Sequence, residues 1–330
     1  MGLQPRQLRV VNSNSAKTNG YVFGGYRMFY DLKRRGCRWK FEWSIRGILD
    51  TPPLRLIQAP WTIVSMVGET DVPMYILAIK SFYSNLGSGN VIAIISKKMK
   101  EKEIDKLKHH IVGIEFQIIE EIDVHAFQHG GCWERLVYIL DRARHEFVIQ
   151  LDSDTITIGG DIDEIKERIN ANASFAYVDR NRPIMSLSAA SAEAKLSKSN
   201  YVGLVLERSF ENWPNADRLR YCRGSAAIAG FARTAEGTTV LEEFYSNMKA
   251  SLGPRHQQWG TEQCASNFVI ANASTVSMLP FPEYSTYPGL GTDQAVKMFH
   301  MLGSVRYADG YYAKKGKKII AKMKEQLNCM

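Results

Sequence analysis

Cysteine is sparse and unpatterned in this 330-residue chain. The five (Cys37, Cys132, Cys222, Cys264, Cys329) are odd in number and widely spaced, with no CxxC pair among them, which argues against both a disulfide framework and a zinc site. Reduced thiols are expected. No apolar run approaches the roughly 18 to 20 residues of a membrane-spanning helix, and the opening MGLQPRQLRVVNSNS has no continuous apolar h-region. A cytoplasmic protein is expected. Seven histidines are scattered; His125 and His129 share helical spacing, but HAFQHGG between them and the next helix reads as loop, with no third ligand nearby. Internal repeats are absent.

Acidic residues are scarce at one end only. Residues 1–50 hold ten lysines or arginines against three acids, whereas the remainder holds 32 against 31. Aromatics are interleaved with these cations in GYRMFYDLKRRGCRWKFEW. That suits contact with an anionic surface such as a membrane leaflet or a nucleic acid, or equally a solvated basic face of a short helix. Apolar residues make up 45% of the chain, enough for a sizeable core in one large α/β domain or two small ones.

The organising stretch is Phe147-Val148-Ile149-Gln150-Leu151-Asp152-Ser153-Asp154-Thr155. An apolar, β-branched run too short for a helix reads as a buried strand, and its abrupt end in two carboxylates places them at a sheet edge. Ligands of open α/β sheets bind there. Two acids one residue apart can turn toward one cation, directly or through water, and hard oxygen ligands suit Mg²⁺ or Mn²⁺. The bland reading makes Asp152 and Asp154 solvated turn residues.

Strand and helix alternate along the chain. Trp61–Val67 reads as a strand whose end, Gly68-Glu69-Thr70-Asp71, leads to Pro73 and an apolar helix through Ser84. Val91–Ile95 and Gly113–Ile119 read as strands, Lys97–His110 and Cys132–Arg144 as helices, and Gly160-Asp161-Ile162-Asp163-Glu164-Ile165 as the start of another, with acids in its first turn. A mostly parallel α/β sheet is expected. Later, Phe175–Val178 and Val276–Leu279 read as strands, Thr234–Ala250 and Thr261–Ala271 as helices, and Lys314 opens a basic terminal helix. Ser186–Ser199 is the least legible segment. Gly224 to Phe231 is a run of small residues favouring close backbone approach.

Several of these segments, in this order, resemble family 8 glycosyltransferases, which include glycogenin and the bacterial lipopolysaccharide galactosyl- and glucosyltransferases. Cys132-Trp133-Glu134-Arg135-Leu136, Phe147 to Thr155 and Gly160 to Ile165 resemble the family's central block. Gly224 to Phe231 resembles its acceptor strand, Thr261-Glu262-Gln263 with Asn267 its acidic-Gln segment, and His300-Met301-Leu302-Gly303-Ser304-Val305-Arg306 its C-terminal HFxGxxK element. The match runs from about Trp61 to Arg306. It departs in Ser225-Ala226-Ala227 for the usual Asn-Ala-Gly, in Met301 for the aromatic and in Arg306 for the lysine.

The resemblance implies a GT-A fold, a Rossmann-like and mostly parallel central sheet flanked by helices, over residues 59–313, between a partly helical basic arm (1–58) and a basic C-terminal helix (314–330). It implies sugar transfer from a nucleoside-diphosphate donor, a UDP-sugar first, to a saccharide or glycolipid acceptor, with retention of configuration. Asp152, Asp154 and His300 would hold Mn²⁺ or Mg²⁺. Glu69, Arg135, Ser153, Gly303 and Arg306 would lie on the donor side with the two aspartates. Glu262 and Gln263 would lie near the anomeric centre as positioning groups; an inverting enzyme would instead need a general base, for which Glu262 is the candidate.

Two other classes compete. In a haloacid-dehalogenase-type phosphohydrolase a DxD aspartate is the nucleophile, but there Gly and then Thr or Val usually occupy the places of Thr155 and Ile156. A non-catalytic basic module would grip an anionic membrane or nucleic acid through residues 1–50. An intermediate expectation joins these features: residues 1–50 and 314–324 hold a transferase peripherally against the inner leaflet, with no nucleic acid as partner.

Overall fold

The structure, a computed structural model, describes residues 35–178, 184–289, 295–303 and 306–325. Residues 1–34 of the basic arm, 326–330 of the terminal helix with Cys329, and Ser304 and Val305 lie outside the described residues.

The short apolar runs build a six-stranded sheet. Its strands are β1 (Trp61–Met66), β2 (Asn90–Ile95), β3 (Glu115–Ile118), β4 (Phe147–Leu151), β6 (Phe175–Val178) and β7 (Gly224–Phe231), in the order β3-β2-β1-β4-β7-β6. β3, β2, β1 and β4 run parallel, and β7 is antiparallel to both its neighbours. Strands of a doubly covered parallel sheet bury both faces, which is why β1, β2 and β4 read as continuous apolar runs rather than alternating ones. Within them, alternate residues serve opposite cores. Ile63, Ile149 and Leu151 join one cluster; Val64 and Val148 join the other.

The first cluster is covered by α1 (35–45), α2 (Val72–Leu86), α5 (Asp163–Asn170) and α10 (Tyr311–Glu325), with Leu107 of α3 (Glu101–His110) at its edge. The second lies under α4 (Trp133–Arg142), α6 (Leu187–Lys195), α7 (Val202–Glu207), α8 (Thr239–Leu252) and α9 (Thr261–Ala271). Helix α2 is buried almost all round, has Pro73 in its first turn and stops at Gly87, whose φ of 92° lets its N–H close on Tyr83 O at 2.8 Å. A second sheet, order β8-β9-β5, joins β8 (Tyr284–Thr286), β9 (Met298–His300) and β5 (Thr155–Thr157). It carries the C-terminal part of the chain back to the end of β4.

Several expectations shift. The helix expected from Lys97 starts at Glu101, and that expected from Thr234 starts at Thr239. Val276–Leu279 forms no strand, only two isolated bridges, Ser174 with Val276 and Tyr177 with Leu279, because β6 is already paired on one side and meets this segment at single points. The illegible Ser186–Ser199 segment contains α6, started by the Ser186 hydroxyl accepting the Ala189 N–H at 3.2 Å. Of the basic arm, α1 does not stand apart: Phe41, Ile45 and, just beyond it, Ile48 are buried in the first cluster. The four described cysteines are free thiols.

One buried polar knot ties α2 to α3. Lys80 Nζ donates to Thr51 Oγ1 (2.8 Å), Pro52 O (2.7 Å) and His110 Nδ1 (3.2 Å). Burial lowers Lys80 to about 8, and burial together with the Lys80 charge lowers His110 to about 4. His110 is thus held neutral where the unfolded chain begins to protonate near 6.5. Between those values protons bind the unfolded state preferentially, so stability is lost as pH falls from about 6.5 through about 4. His110→Gln, which keeps an acceptor but cannot titrate, is expected to flatten that acid loss. Urea unfolding at pH 7.5 and pH 5 checks this, and an equal loss in both proteins would contradict it.

Candidate active site

The chain runs outward from β1 to β2 to β3 and then crosses back to β4, so the switch point of the sheet lies between β1 and β4, where α/β sheets open a crevice at their carboxyl ends. A cleft of about 480 Å³ occupies that place. Val67, Gly68 and Asp71 line it from the end of β1, Ile95 and Ser96 from β2, and Asp152, Ser153 and Asp154 from β4. Ser225 to Ala227 of β7 form one wall, the start of α9 another, and His300, Leu302 and Arg306 close it.

Backbone pairing sets the DxD turn. Asp152 N–H donates to Ala227 O at 2.8 Å, and the Thr155 hydroxyl folds back onto Asp152 O at 2.8 Å. β5 then pairs antiparallel with β9, His300 opposite Thr155, and Met301 N–H reaches Asp154 O at 2.9 Å. One ligand atom each from Asp152, Asp154 and His300 therefore lie within 4.8 Å of one another. His300 Nε2 is 3.4 Å from Asp154 Oδ1, while its Nδ1 is 3.2 Å from Tyr177 OH and 3.4 Å from Ser225 Oγ. An imidazole steadied at Nδ1 with Nε2 turned to Asp154, and Asp152 close by, suits a divalent cation with mixed oxygen and nitrogen ligands.

Two arginines share these carboxylates. Arg306 bonds Asp154 and also donates from Nε to Met301 O at 2.8 Å. Arg135, only 4% exposed on α4, bonds Asp152 and lies 3.4 Å from Glu262 Oε1 on α9. The electrostatics follow. Burial alone would raise Asp154, but His300 and Arg306 outweigh it and hold the carboxyl below its ordinary value. Burial would also lower His300, yet the bond to Asp154 raises it. For Glu262 burial wins, aided by Asp152 and opposed by Arg135, and its carboxyl is pushed up to about 7. Gln263 donates from Nε2 to Gly224 O at 3.0 Å, which fixes its amide against β7.

The structure brings Arg135, Asp152, Ser153, Asp154, Glu262, Gln263, His300 and Arg306 to one cleft. Glu69 and Gly303 do not line it. Glu69 is held away by Lys100, whose Nζ is 2.5 Å from Oε1 and whose N–H donates at 3.3 Å, and it faces a separate depression beside Arg38 and Lys102. The 3₁₀ turn Glu69–Asp71 presents Asp71 to the cleft instead. Burial raises Asp71 even with Arg38 at 3.3 Å. Ser225 and Leu302, which lie in segments quoted for the resemblance but were given no role, also line the cleft, and Trp259, which no periodicity marks, was missed.

No protein-family model matches the chain, and no curated protein matches it. Solved structures do. The bifunctional glycosyltransferase WbbM, in its apo structure, is similar with a TM-score of 0.53 and 16% identity over 82% of this chain; the match spans 52% of WbbM, about half its length. The galactosyltransferase LgtC, in complex with donor and acceptor sugar analogs, is similar with a TM-score of 0.51 and 11% identity, covering 79% of this chain and 95% of that one. The chain has the GT-A glycosyltransferase fold, in a form resembling family 8.

Arg135 is the sole cation within bonding distance of Glu262 among the described residues. Arg135→Met leaves Asp152 and the buried Glu262 without this partner and is expected to cost about 3 kcal/mol or more at pH 8. Arg135→Met with Glu262→Gln should recover part of that loss. Chemical unfolding of both variants decides it; a double variant no more stable than the single would contradict the pairing.

Proposed function

We propose that the chain is a metal-dependent glycosyltransferase that moves a sugar from a nucleoside-diphosphate donor, a UDP-sugar first, to a saccharide or glycolipid acceptor. The observation that carries this reading is the meeting of Asp152, Asp154 and His300 with Arg135 and Arg306 at the switch point of a GT-A sheet. The leaving group is a nucleoside diphosphate, so negative charge grows on phosphate oxygens as the glycosidic bond breaks. A Mn²⁺ or Mg²⁺ held by Asp152, Asp154 and His300 would neutralise that charge as a Lewis acid.

The chain's own groups account for the rest. Arg306 and a cation compete for Asp154, and a guanidinium turned away from it has the planar fork that binds phosphate bidentately. Arg135 is engaged on both sides by carboxylates and serves to orient Asp152 and Glu262. The backbone-anchored Gln263 and the buried Glu262 border the space between the aspartates and β7, where sugar and acceptor would meet. Retention is adopted from the family resemblance, and in it Glu262 is a positioning group.

A panel of UDP-glucose, UDP-galactose, UDP-N-acetylglucosamine and GDP-mannose, assayed for nucleotide release, tests the proposal. One donor is expected to turn over slowly with water when Mn²⁺ is present, with activity removed by EDTA and lowered at least about 100-fold by Asp154→Asn. Turnover indifferent to both chelation and substitution, or no donor turned over or bound in a metal-dependent way, would reject it.

A further inference from the structure

The two basic segments at opposite ends of the chain pack against each other. Helix α1 buries Phe41 and Ile45, and α10 buries Tyr312, Gly316 and Ile320. The Phe41 and Tyr312 rings are 4.4 Å apart, centroid to centroid. A side chain at Gly316 would begin 2.9 Å from Ile45 Cγ2 and 3.0 Å from Leu77 Cδ2, so the close approach of α10 to α1 and α2 requires glycine there. Lys324 Nζ reaches Asp50 Oδ2 at 3.0 Å.

This packing turns two tryptophans outward. Trp39 and Trp43 are 65% and 52% exposed, one helical turn apart on the same side of α1. Arg46 lies 4.7 Å over the Trp43 ring, and Lys317 from α10 lies 5.8 Å over it. Arg35, Lys40, Lys314, Lys318 and Lys322 are exposed nearby in sequence on the same two helices. The acids of α1 and its extension are occupied: Glu42 by Arg38 at 2.6 Å, Asp50 by Lys324. Exposed indoles ringed by cations suit the headgroup layer of a bilayer, where an amphipathic ring is stable half in lipid and lysines meet anionic phosphate. A nucleic acid would also answer the charge, but base stacking needs an open ring face, and two cations already lie over Trp43. Residues 1–34, which precede α1, carry six lysines or arginines against one acid, the same sign as this face.

We propose that the α1–α10 face docks the protein on an anionic lipid surface, with Trp39 and Trp43 entering the headgroup region and the α10 lysines meeting lipid phosphate. The docking itself stands apart from sugar transfer. Its inner side borders the cleft: Arg38 holds Asp71 at 3.3 Å, and Phe41 packs 5.0 Å from Tyr307, which follows Arg306. If the transferase reading holds, a lipid-linked acceptor would arrive beside the donor site.

The test is sedimentation of the full chain with phosphatidylcholine vesicles, with and without about 30% phosphatidylglycerol, some lipids brominated at the chains to quench tryptophan. Expected is binding that requires the anionic lipid and weakens with salt, with quenching lost in Trp39→Ala/Trp43→Ala. Lys317→Glu/Lys318→Glu/Lys322→Glu should lower partitioning on the order of 100-fold. All five residues are exposed, so circular dichroism should show both variants folded, and donor turnover in the panel above is measured separately. Absence of binding to anionic vesicles would overturn the proposal, as would binding unchanged in both variants. Tighter binding to single-stranded nucleic acid that displaces the vesicles would overturn it in favour of a nucleic-acid partner.

Discussion

Three carboxylates, Asp152, Asp154 and Glu262, meet in a cleft that hydrates them poorly, and the architecture around them is set by the cations that compensate. Asp154 and Glu262 are 7% and 4% exposed. Burying such groups without a partner costs several kcal/mol each. Arg135 reaches Asp152 and Glu262 from α4, whereas His300 and Arg306 reach Asp154 from far along the chain. The antiparallel pairing of β5 with β9 is what delivers them. A slip of one residue in that register would move His300 to the other face, leaving Asp154 with one partner fewer.

The same constraint bears on the positions that differ from the pattern the sequence resembles. Arg306 stands where the resembled element has lysine, and its fork both bonds Asp154 and donates to Met301 O, two tasks a single ammonium performs less well. Met301, in place of an aromatic, is fully buried in the first cluster. Ser225, in place of asparagine, sits 3.4 Å from His300 Nδ1 and helps Tyr177 hold the ring. The altered positions lie against Asp154 and His300, so they bear on how the imidazole and guanidinium are aimed.

Much of the fold was legible because β1, β2 and β4 are buried on both faces and so are mostly apolar, with only Thr62, Ser65, Asn90 and Gln150 interrupting them, and because the acids that end β4 break the run sharply. Thr261–Ala271 was read to the residue for the opposite reason, its glycine and threonine start being local. What was not legible depends on tertiary geometry. Whether Glu69 or Asp71 faces the cleft is decided by one turn of 3₁₀ helix and by Lys100 across the gap. Val276 to Leu279 has strand composition and lies along the free edge of β6, but it meets that edge only at Ser174 and Tyr177. Trp259 stands at the cleft mouth, 70% exposed, with no pattern around it. That the basic segments pack directly on each other depends on the tertiary contact of Gly316 with Ile45, which no local pattern marks.

The central claim is that Asp152, Asp154 and His300 form a cation site against which a nucleoside diphosphate is held. An anomalous difference map from crystals grown with Mn²⁺ and UDP tests it most directly. The account predicts one strong manganese peak within coordination distance of both aspartates and of His300 Nε2, with the diphosphate against it. UDP seated in the cleft with no manganese at these three residues would contradict it.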